Sequence, residues 1–520
     1  MEKIATDIYT FENLRKGGYV YVDKTEGIWS LVNDSIGRQF FLSRPRRFGK
    51  SLLVSTLKAL FEGKRELFGG LAIEPKWDWS NTWPVLHLDM GSCQADTVEG
   101  VKGKVRTMLQ AEAERLGASL RDPDPSNAFQ LLINDLALAA KSTSKDGQIV
   151  LLVDEYDKPL LGHLSTPDVT QFRDFLKEFY SVIKTLEAKQ RFTFITGVSK
   201  FSKVSIFSDL NNLNDRTMTV SEATLLGYTH DELKRFFPGA LAHIGEKNGQ
   251  NADWAFAEVV KWYDGYRFHP EAEKVINPVS FGLCSEDGEF TSYWSKTAMT
   301  TFLTDALRKH PLDFSTLGIT EAELEAYEPE CPKLVTLLYQ TGYLTIDRMR
   351  QMGAVRKYDL KLPNLEVENS FLTSVLPIYT GLPDDGLVNY QLAAAEALYN
   401  GDVEKFVKAL RSFFANIPYD LTDRQNEQMW QAIVYVVLKL IGTAVTAEVK
   451  TNDGRIDMVC DAPSGIYLIE FKLDRPAEEA LAQIERNEYA AKFDFAGKKV
   501  VKIGVSFSSE KRTIVDVKRG

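Results

Sequence analysis

The stretch RQFFLSRPRRFGKSLLVSTLKALF (38–61) constrains the fold most. Phe40, Phe41 and Leu42 make a short apolar run. Leu52, Leu53, Thr56, Leu57, Leu60 and Phe61 then recur at helical spacing until Gly63 ends the helix. Gly49, Lys50 and Ser51 lie between the two. A buried strand entering a helix through a tight turn aims free backbone N–H groups at one point, which suits phosphate. Lys50 would reach the outer phosphate oxygens and the Ser51 hydroxyl would ligate magnesium. Arg44 stands where the G-x-x-x-x-G-K-[ST] pattern has its first glycine. That glycine mainly eases the turn, and Pro45 sets a turn in another way.

A second element lies about 100 residues downstream, where the apolar run IVLLVDEYD (149–157) delivers Asp154 and Glu155 to its end. Asp154 there would serve the metal, and Glu155 would act as general base toward an attacking water. Each short motif alone is common; in this order, each on the right kind of element, they point together to nucleotide chemistry. A third β-run, RFTFITGVS (191–199), makes Thr196 or Ser199 a candidate γ-phosphate sensor, the alternative being an ordinary polar strand end. Arg44, Arg46 and Arg47 surround the loop with positive charge. Arg46 or Arg47 is a candidate nucleotide contact, the alternative being a solvated rim paired with acids.

At about 150 residues per domain, 520 residues suggest roughly three units. Hydrophobic content of 44% and charged content of 26% fit a globular protein, and the net charge of −10 excludes coating nucleic acid by overall field. Cys93, Cys284, Cys331 and Cys460 lack C-x-x-C spacing, which argues against a disulfide framework or zinc knuckle. No apolar signal region opens the chain, and AIVYVVLKLIGTAV (432–445) falls short of bilayer thickness, so a cytoplasmic protein without a membrane partner is expected. Residues 1–225 alternate β-runs with amphipathic helices, the pattern of an α/β domain with a parallel sheet. Residues 226–365 read as helical, with LLYQTGYLTI (337–346) suggesting a helix then strand and a winged-helix-like unit. Proline, glycine and paired aspartates mark 366–395 as a linker, leaving 396–520 as a last domain.

The phrases YVDKT (21–25), RPRRFGKSLL (44–53), LLVDEYDKPL (151–160), FITGVSKFSKVSIFSDLNNL (194–213) and YDGYRF (263–268) resemble the divergent AAA-ATPase-like family of bacteria and archaea. The resemblance covers roughly the first 280 residues. It implies a P-loop NTPase core of the AAA+ or signal-transduction ATPase kind. Lys50 and Ser51 would belong to Walker A, and Asp154 and Glu155 would be the Walker B pair. ATP and Mg2+ are the implied cofactors, and Arg216 is a nearby arginine-finger candidate. The family commonly carries a nuclease-like domain at its C-terminus, and the arginine-rich loop is usual in it.

The C-terminal part carries its own chemistry. RIDMVCDAPSGIYLIEFKL (455–473) reads as two strands joined by a turn. By strand alternation Glu470 and Lys472 point away from Tyr467, Ile469, Phe471 and Leu473, and Asp457 points away from Ile456 and Met458. Asp457, Glu470 and Lys472 can thus meet on one side of a sheet. There the two carboxylates would hold Mg2+ or Mn2+ and the lysine would position water and steady developing charge. An exposed ion pair is the bland alternative for an isolated E-x-K. Upstream, Thr422 and Gln425 form a capping-box pattern before a helix bearing Glu427, which would reach the same metal. Downstream, a helix offers Gln483 and Tyr489. The order of elements, with TNDGRIDMV, IEFKL and AQIERNEYA, resembles the PD-(D/E)XK nuclease superfamily over residues 400–520. That resemblance implies an α/β restriction-endonuclease-like fold with Glu427, Asp457, Glu470 and Lys472 as the catalytic set and Gln483 as an accessory. Residues 495–520 add seven cationic residues against Glu510 and Asp516, a strip suited to DNA or RNA phosphates. The expected protein is an ATP-regulated, metal-dependent nuclease, with a homo-oligomer among possible assemblies. The alternative is a signalling ATPase whose nuclease-like domain only binds nucleic acid or a partner.

Overall fold

The computed structural model describes the chain apart from residues 1, 35–36, 142–145, 165, 201–211, 295–300, 310–311, 315–316, 326–332, 383, 418–426, 443, 452–453, 494–496 and 512. At some further helix and strand positions, Glu427 among them, only the backbone is described. The chain divides into two compact units, one of residues 1–296 with 318–367 and one of 297–317 with 368–520.

The first unit is built on strands β1 (Gln39–Ser43), β2 (Val85–Asp89), β3 (Ile149–Asp154), β4 (Gln190–Gly197) and β5 (Asn214–Asp215), in the order β2-β3-β4-β1-β5. Every pairing in this sheet is parallel. Parallel sheets are covered on both faces, so their strands are continuously apolar, and all of β1 and β3 is buried. Helices Lys50–Phe61, Val98–Arg115, Pro125–Ala140 and Val169–Thr185 belong to this layer. The two-residue strand β5 has no apolar period to announce it; it exists through its parallel pairing with Phe40 and Phe41.

The helices His230–Phe236, Pro238–Lys247, Ala252–Tyr263 and Pro278–Asp287 share a core around Phe237, Tyr263 and Phe281. After Leu334–Thr341, Gly342 at φ +92° ends the helix in the left-handed region. The chain then enters a three-stranded antiparallel sheet of β6 (Gly318–Thr320), β7 (Thr345–Met352) and β8 (Val355–Lys361), in the order β6-β8-β7. The helix–strand–hairpin order matches the winged-helix-like expectation.

The expected linker is a correction. Leu365–Thr380 and Asp384–Tyr399 are helices, because Val367, Phe371, Leu372, Val375 and Leu376 recur at helical spacing and are buried. Gly381, at φ +65°, falls between the two helices rather than marking an extended tether. In the second unit, strands β9 (Ala444–Thr451), β10 (Gly454–Ala462), β11 (Gly465–Leu473), β12 (Val500–Ser508) and β13 (Thr513–Arg519) form one mixed sheet in consecutive order. β11 and β12 are parallel and the other neighbours antiparallel. Trp430, on helix Glu427–Leu440, stacks on Phe507 at 5.0 Å between centroids, and Phe507 in turn stacks on Phe471 at 5.7 Å. Helix Ala477–Arg486 packs on β11 and β12. The Thr422 and Gln425 capping pattern lies outside the described residues. Among the described residues no helix is long and apolar enough to cross a membrane.

Candidate functional site

In a parallel sheet all strands end at one edge, and ligands bind outside the carboxyl ends. The loop after β1 and the acids after β3 therefore share an edge, with β4 between their strands. Gly49 adopts φ +93° as it caps helix Lys50–Phe61, and Arg47 adopts φ +68°. Both are left-handed values, which glycine takes without steric cost and arginine does not. Lys50 is 7% exposed, and its Nζ donates to the Arg44 and Pro45 carbonyls at 2.9 Å each. Burial lowers its pKa, against the pull of Asp154, Asp157 and Glu155. Ser51 opens the same helix. Burial pushes Asp154 up to about 6 against the pull of the Ser51 hydroxyl and Lys50, with Glu155 and Asp89 adding negative charge. Glu155 sits at φ +49°, a strained left-handed value for a residue other than glycine, with its carboxylate 3.7 Å from the Lys158 ammonium.

The remaining expected loop residues separate into two kinds. Arg46 is exposed, and Arg47 donates from Nη1 to the Tyr293 carbonyl at 2.8 Å. Arg44 is not part of a charged rim: it is 1% exposed and donates to the carbonyls of Ser43, Thr217 and Glu222 at 2.8–2.9 Å. Thr196 is buried, and its hydroxyl donates to the Leu42 carbonyl at 2.6 Å, tying β4 to β1. Ser199 is also buried, with its N–H donated to Asp157 at 2.6 Å. Arg216 pairs with Asp34.

Sequence reasoning missed three contributors. Asp157 is 1% exposed and accepts the Val198 and Ser199 amides, fixing the turn after β4. A Cβ at Gly197 would meet Asp157 Oδ1 at 2.5 Å, so only glycine fits there. Phe48 meets Tyr266 and Phe268 edge-on at 4.7 and 5.4 Å, while Arg44 lies over Phe268 at 4.1 Å. The YDGYRF phrase is thus the outer wall of the loop. Finally, a mostly apolar cleft of about 890 Å³, counting its open mouth, adjoins Gly49 and is lined by Tyr21, Val22, Lys24, Phe48 and Leu226 among others.

The second constellation lies on β10, β11 and the following helix. Met458 opposes Ile469 in the antiparallel register, which brings Asp457 across from Glu470. The Asp457 amide donates to Glu470 Oε2 at 3.3 Å, and the Phe471 amide donates to Asp457 Oδ2 at 2.9 Å. Lys472 Nζ lies 3.3 Å from Glu470 Oε1, and Gln483 Nε2 donates to the same oxygen. Glu470 is 1% exposed, and burial, then the charge of Asp457, pushes it up to about 7 against the pull of Lys472. Lys472 and Gln483 join these acids as expected. Tyr489 instead fills the core with Ile456, Leu468 and Ile484. Glu427 begins its helix, and its side chain lies outside the described residues.

The Asp457 charge favours a proton on Glu470, and a hard divalent cation between the two carboxylates would take that proton's place, so the donors fit magnesium or manganese. The Ser51 and Asp154 oxygens are likewise hard ligands. Among the described residues no cluster of three or more His, Cys, Asp or Glu side chains gathers. Magnesium is commonly held by one or two carboxylates, with water and phosphate oxygens completing the shell.

The parallel sheet with its strand–loop–helix turn, and the mixed sheet with its paired acids and lysine, define an AAA-ATPase-like domain followed by a PD-(D/E)XK domain. The family described as "Predicted AAA-ATPase" matches residues 5–207, and the PD-(D/E)XK nuclease superfamily matches residues 425–517. The chain is 36% identical over 527 residues to the "Uncharacterized protein in vnfD 5'region" of Azotobacter chroococcum mcd 1, spanning 99% of this chain and 98% of that protein. This chain belongs to one family with that protein, and it is itself an AAA-ATPase-like protein with a C-terminal PD-(D/E)XK nuclease superfamily domain.

Proposed function

We propose that the protein binds ATP with magnesium and that nucleotide state regulates a metal-dependent nuclease hydrolysing phosphodiester bonds. In this reading residues 1–225 form the ATPase core, 226–365 its lid, and 396–520 the nuclease domain. Lys50 Nζ would exchange the Arg44 and Pro45 carbonyls for phosphate oxygens. Ser51 and Asp154 would hold the cation, which supplies charge neutralisation at the phosphates. Glu155 would take the proton of the attacking water, and Arg47 with exposed Arg46 would flank the phosphates. The cleft beside Gly49 suits the base and sugar.

The observation that carries the nuclease reading is the meeting of Asp457, Glu470 and Lys472 in one partly buried cluster. Asp457 and Glu470 would hold the second cation, whose chemistry is to activate water and stabilise charge on the phosphate. Lys472 Nζ would orient the attacking water, and Gln483 would hold the Glu470 carboxylate in place. The deciding experiment is cleavage of single-stranded, duplex and branched DNA and RNA, with and without ATP, alongside metal titration. Metal-dependent cutting that changes with nucleotide supports the reading. Metal binding without cutting of any substrate favours a signalling ATPase with a binding module.

A further inference from the structure

The β7–β8 hairpin has two unlike faces. Its register opposes Arg350 to Lys357, Arg348 to Asp359 and Met352 to Val355. Directly opposed residues project to the same side of an antiparallel ribbon. One face therefore carries Arg348, Arg350 and Lys357 in a row and ends at Met352 and Val355. These two apolar residues are 69% and 54% exposed at a two-residue turn where Gly353 takes φ +59°. On the other face Gln351 opposes Arg356, and Met349 opposes the buried Tyr358.

The charge on the first face is only partly answered. Asp359 accepts both Arg348, at 2.7 Å, and Arg350, at 2.5 Å, so one carboxylate serves two guanidinium groups. Lys357 has no acidic partner among the described residues. Residues 345–361 hold five cationic residues against Asp347 and Asp359 in a chain of net charge −10; Lys361 is answered by Asp347 and Arg356, on the other face, by Glu321. Exposed arginines ordered along a strand, with a methionine at the tip, are not explained by packing within the unit.

We infer that this hairpin is a docking element for B-form DNA, inserting as a ribbon into a groove with its cations against phosphates and Met352 against base edges. Beyond the β6 pairing at residues 357–359 the hairpin continues as a two-stranded tip, which the major groove of B-DNA admits, and an apolar side chain there can meet the thymine methyl. Duplex RNA presents a major groove too deep and narrow for such a ribbon. A membrane is disfavoured because the apolar patch is two or three residues at one tip rather than a continuous face. The inference deepens the nuclease reading by naming duplex DNA as the substrate class, and rests on it only in that both require nucleic acid.

The test uses the full chain in chelator, titrated onto a short labelled DNA duplex between about 50 and 200 mM salt. The triple variant Arg348→Ala/Arg350→Ala/Lys357→Ala should lose affinity about tenfold or more, with the slope of log K against log salt reduced by about 2 to 3. Met352→Ser/Val355→Ser should weaken binding with the slope unchanged. Arg356→Ala, on the opposite face, should do neither. Unaltered thermal melting in each variant separates these effects from misfolding. No duplex binding by the wild type, unchanged binding in the triple variant, or tighter binding to duplex RNA or anionic vesicles would overturn the inference. Magnesium-dependent cleavage and its dependence on Lys472 are scored separately. Hairpin-dependent binding without cleavage sinks only the nuclease reading, and cleavage with hairpin-independent binding sinks only the hairpin.

Discussion

Lys50 spends its ammonium on two carbonyls of its own loop, so the loop is closed by the group that would hold phosphate. Lys50→Ala is expected to abolish the thermal shift produced by ATP and magnesium. Equal shifts in wild type and variant would remove the loop from consideration. Glu155→Gln keeps the hydrogen-bonding shape but not the basicity, so nucleotide binding should persist while phosphate release stops. In the second site Lys472→Ala leaves both carboxylates, and calorimetry should find manganese still bound with cleavage gone. Asp457→Ala should lose both. Glu366 makes a prediction about pH. It is fully buried, accepts the Trp294 amide at 2.7 Å, and is pushed by burial from 4.5 up to about 7. The folded state thus holds this proton more tightly than the unfolded one. Its contribution is complete below pH 4.5 and is lost as pH rises through 7, a change of order 3 kcal/mol at about 1.4 kcal/mol per pH unit. Glu366→Gln should flatten that fall in denaturant titrations from pH 4 to 8; parallel curves would show that the carboxyl does not titrate there.

Among elements, those with strong local pattern were legible. The strand before Gly49, the helix after Ser51, the strand ending at Asp154 and the paired strands bearing Asp457 and Glu470 all follow from apolar period and spacing. What was not legible depends on contacts far apart in sequence. Arg44 reads as one more loop cation until Thr217 and Glu222, more than 170 residues on, supply the carbonyls that bury it. Thr196 reads as a candidate γ-phosphate sensor, but its hydroxyl donates to the Leu42 carbonyl across the sheet. Asp89 drew no notice, although it ends β2 level with Asp154. The helices at 365–399 were obscured by local breakers, since Pro377 is carried inside the first helix. The aromatic layer of the second unit allows a packing prediction. Trp430 is 1% exposed and stacked on Phe507, so Trp430→Ala should cost about 3–5 kcal/mol. Chemical denaturation followed by circular dichroism would check it, and a loss under 1 kcal/mol would mean that the layer is not a core.

At the scale of the whole molecule, neither unit is one continuous stretch of chain. Residues 297–317 belong to the second unit but precede residues 318–367, which complete the first. The order of synthesis then matters. The first unit can close once residue 367 has emerged, whereas 297–317 must wait for the remainder of its own unit. With about 5–20 residues made per second, the 153 residues from 368 to 520 take roughly 8–30 s. Throughout that interval a finished ATPase-like unit trails a loop whose permanent partner has not yet been made. A fragment ending at residue 367 should therefore fold and still be nicked by protease within 297–317, a cut that the full-length chain resists. The chain crosses between the units at 296/297, 317/318 and 367/368, so no single cut in the gene separates one unit from the other.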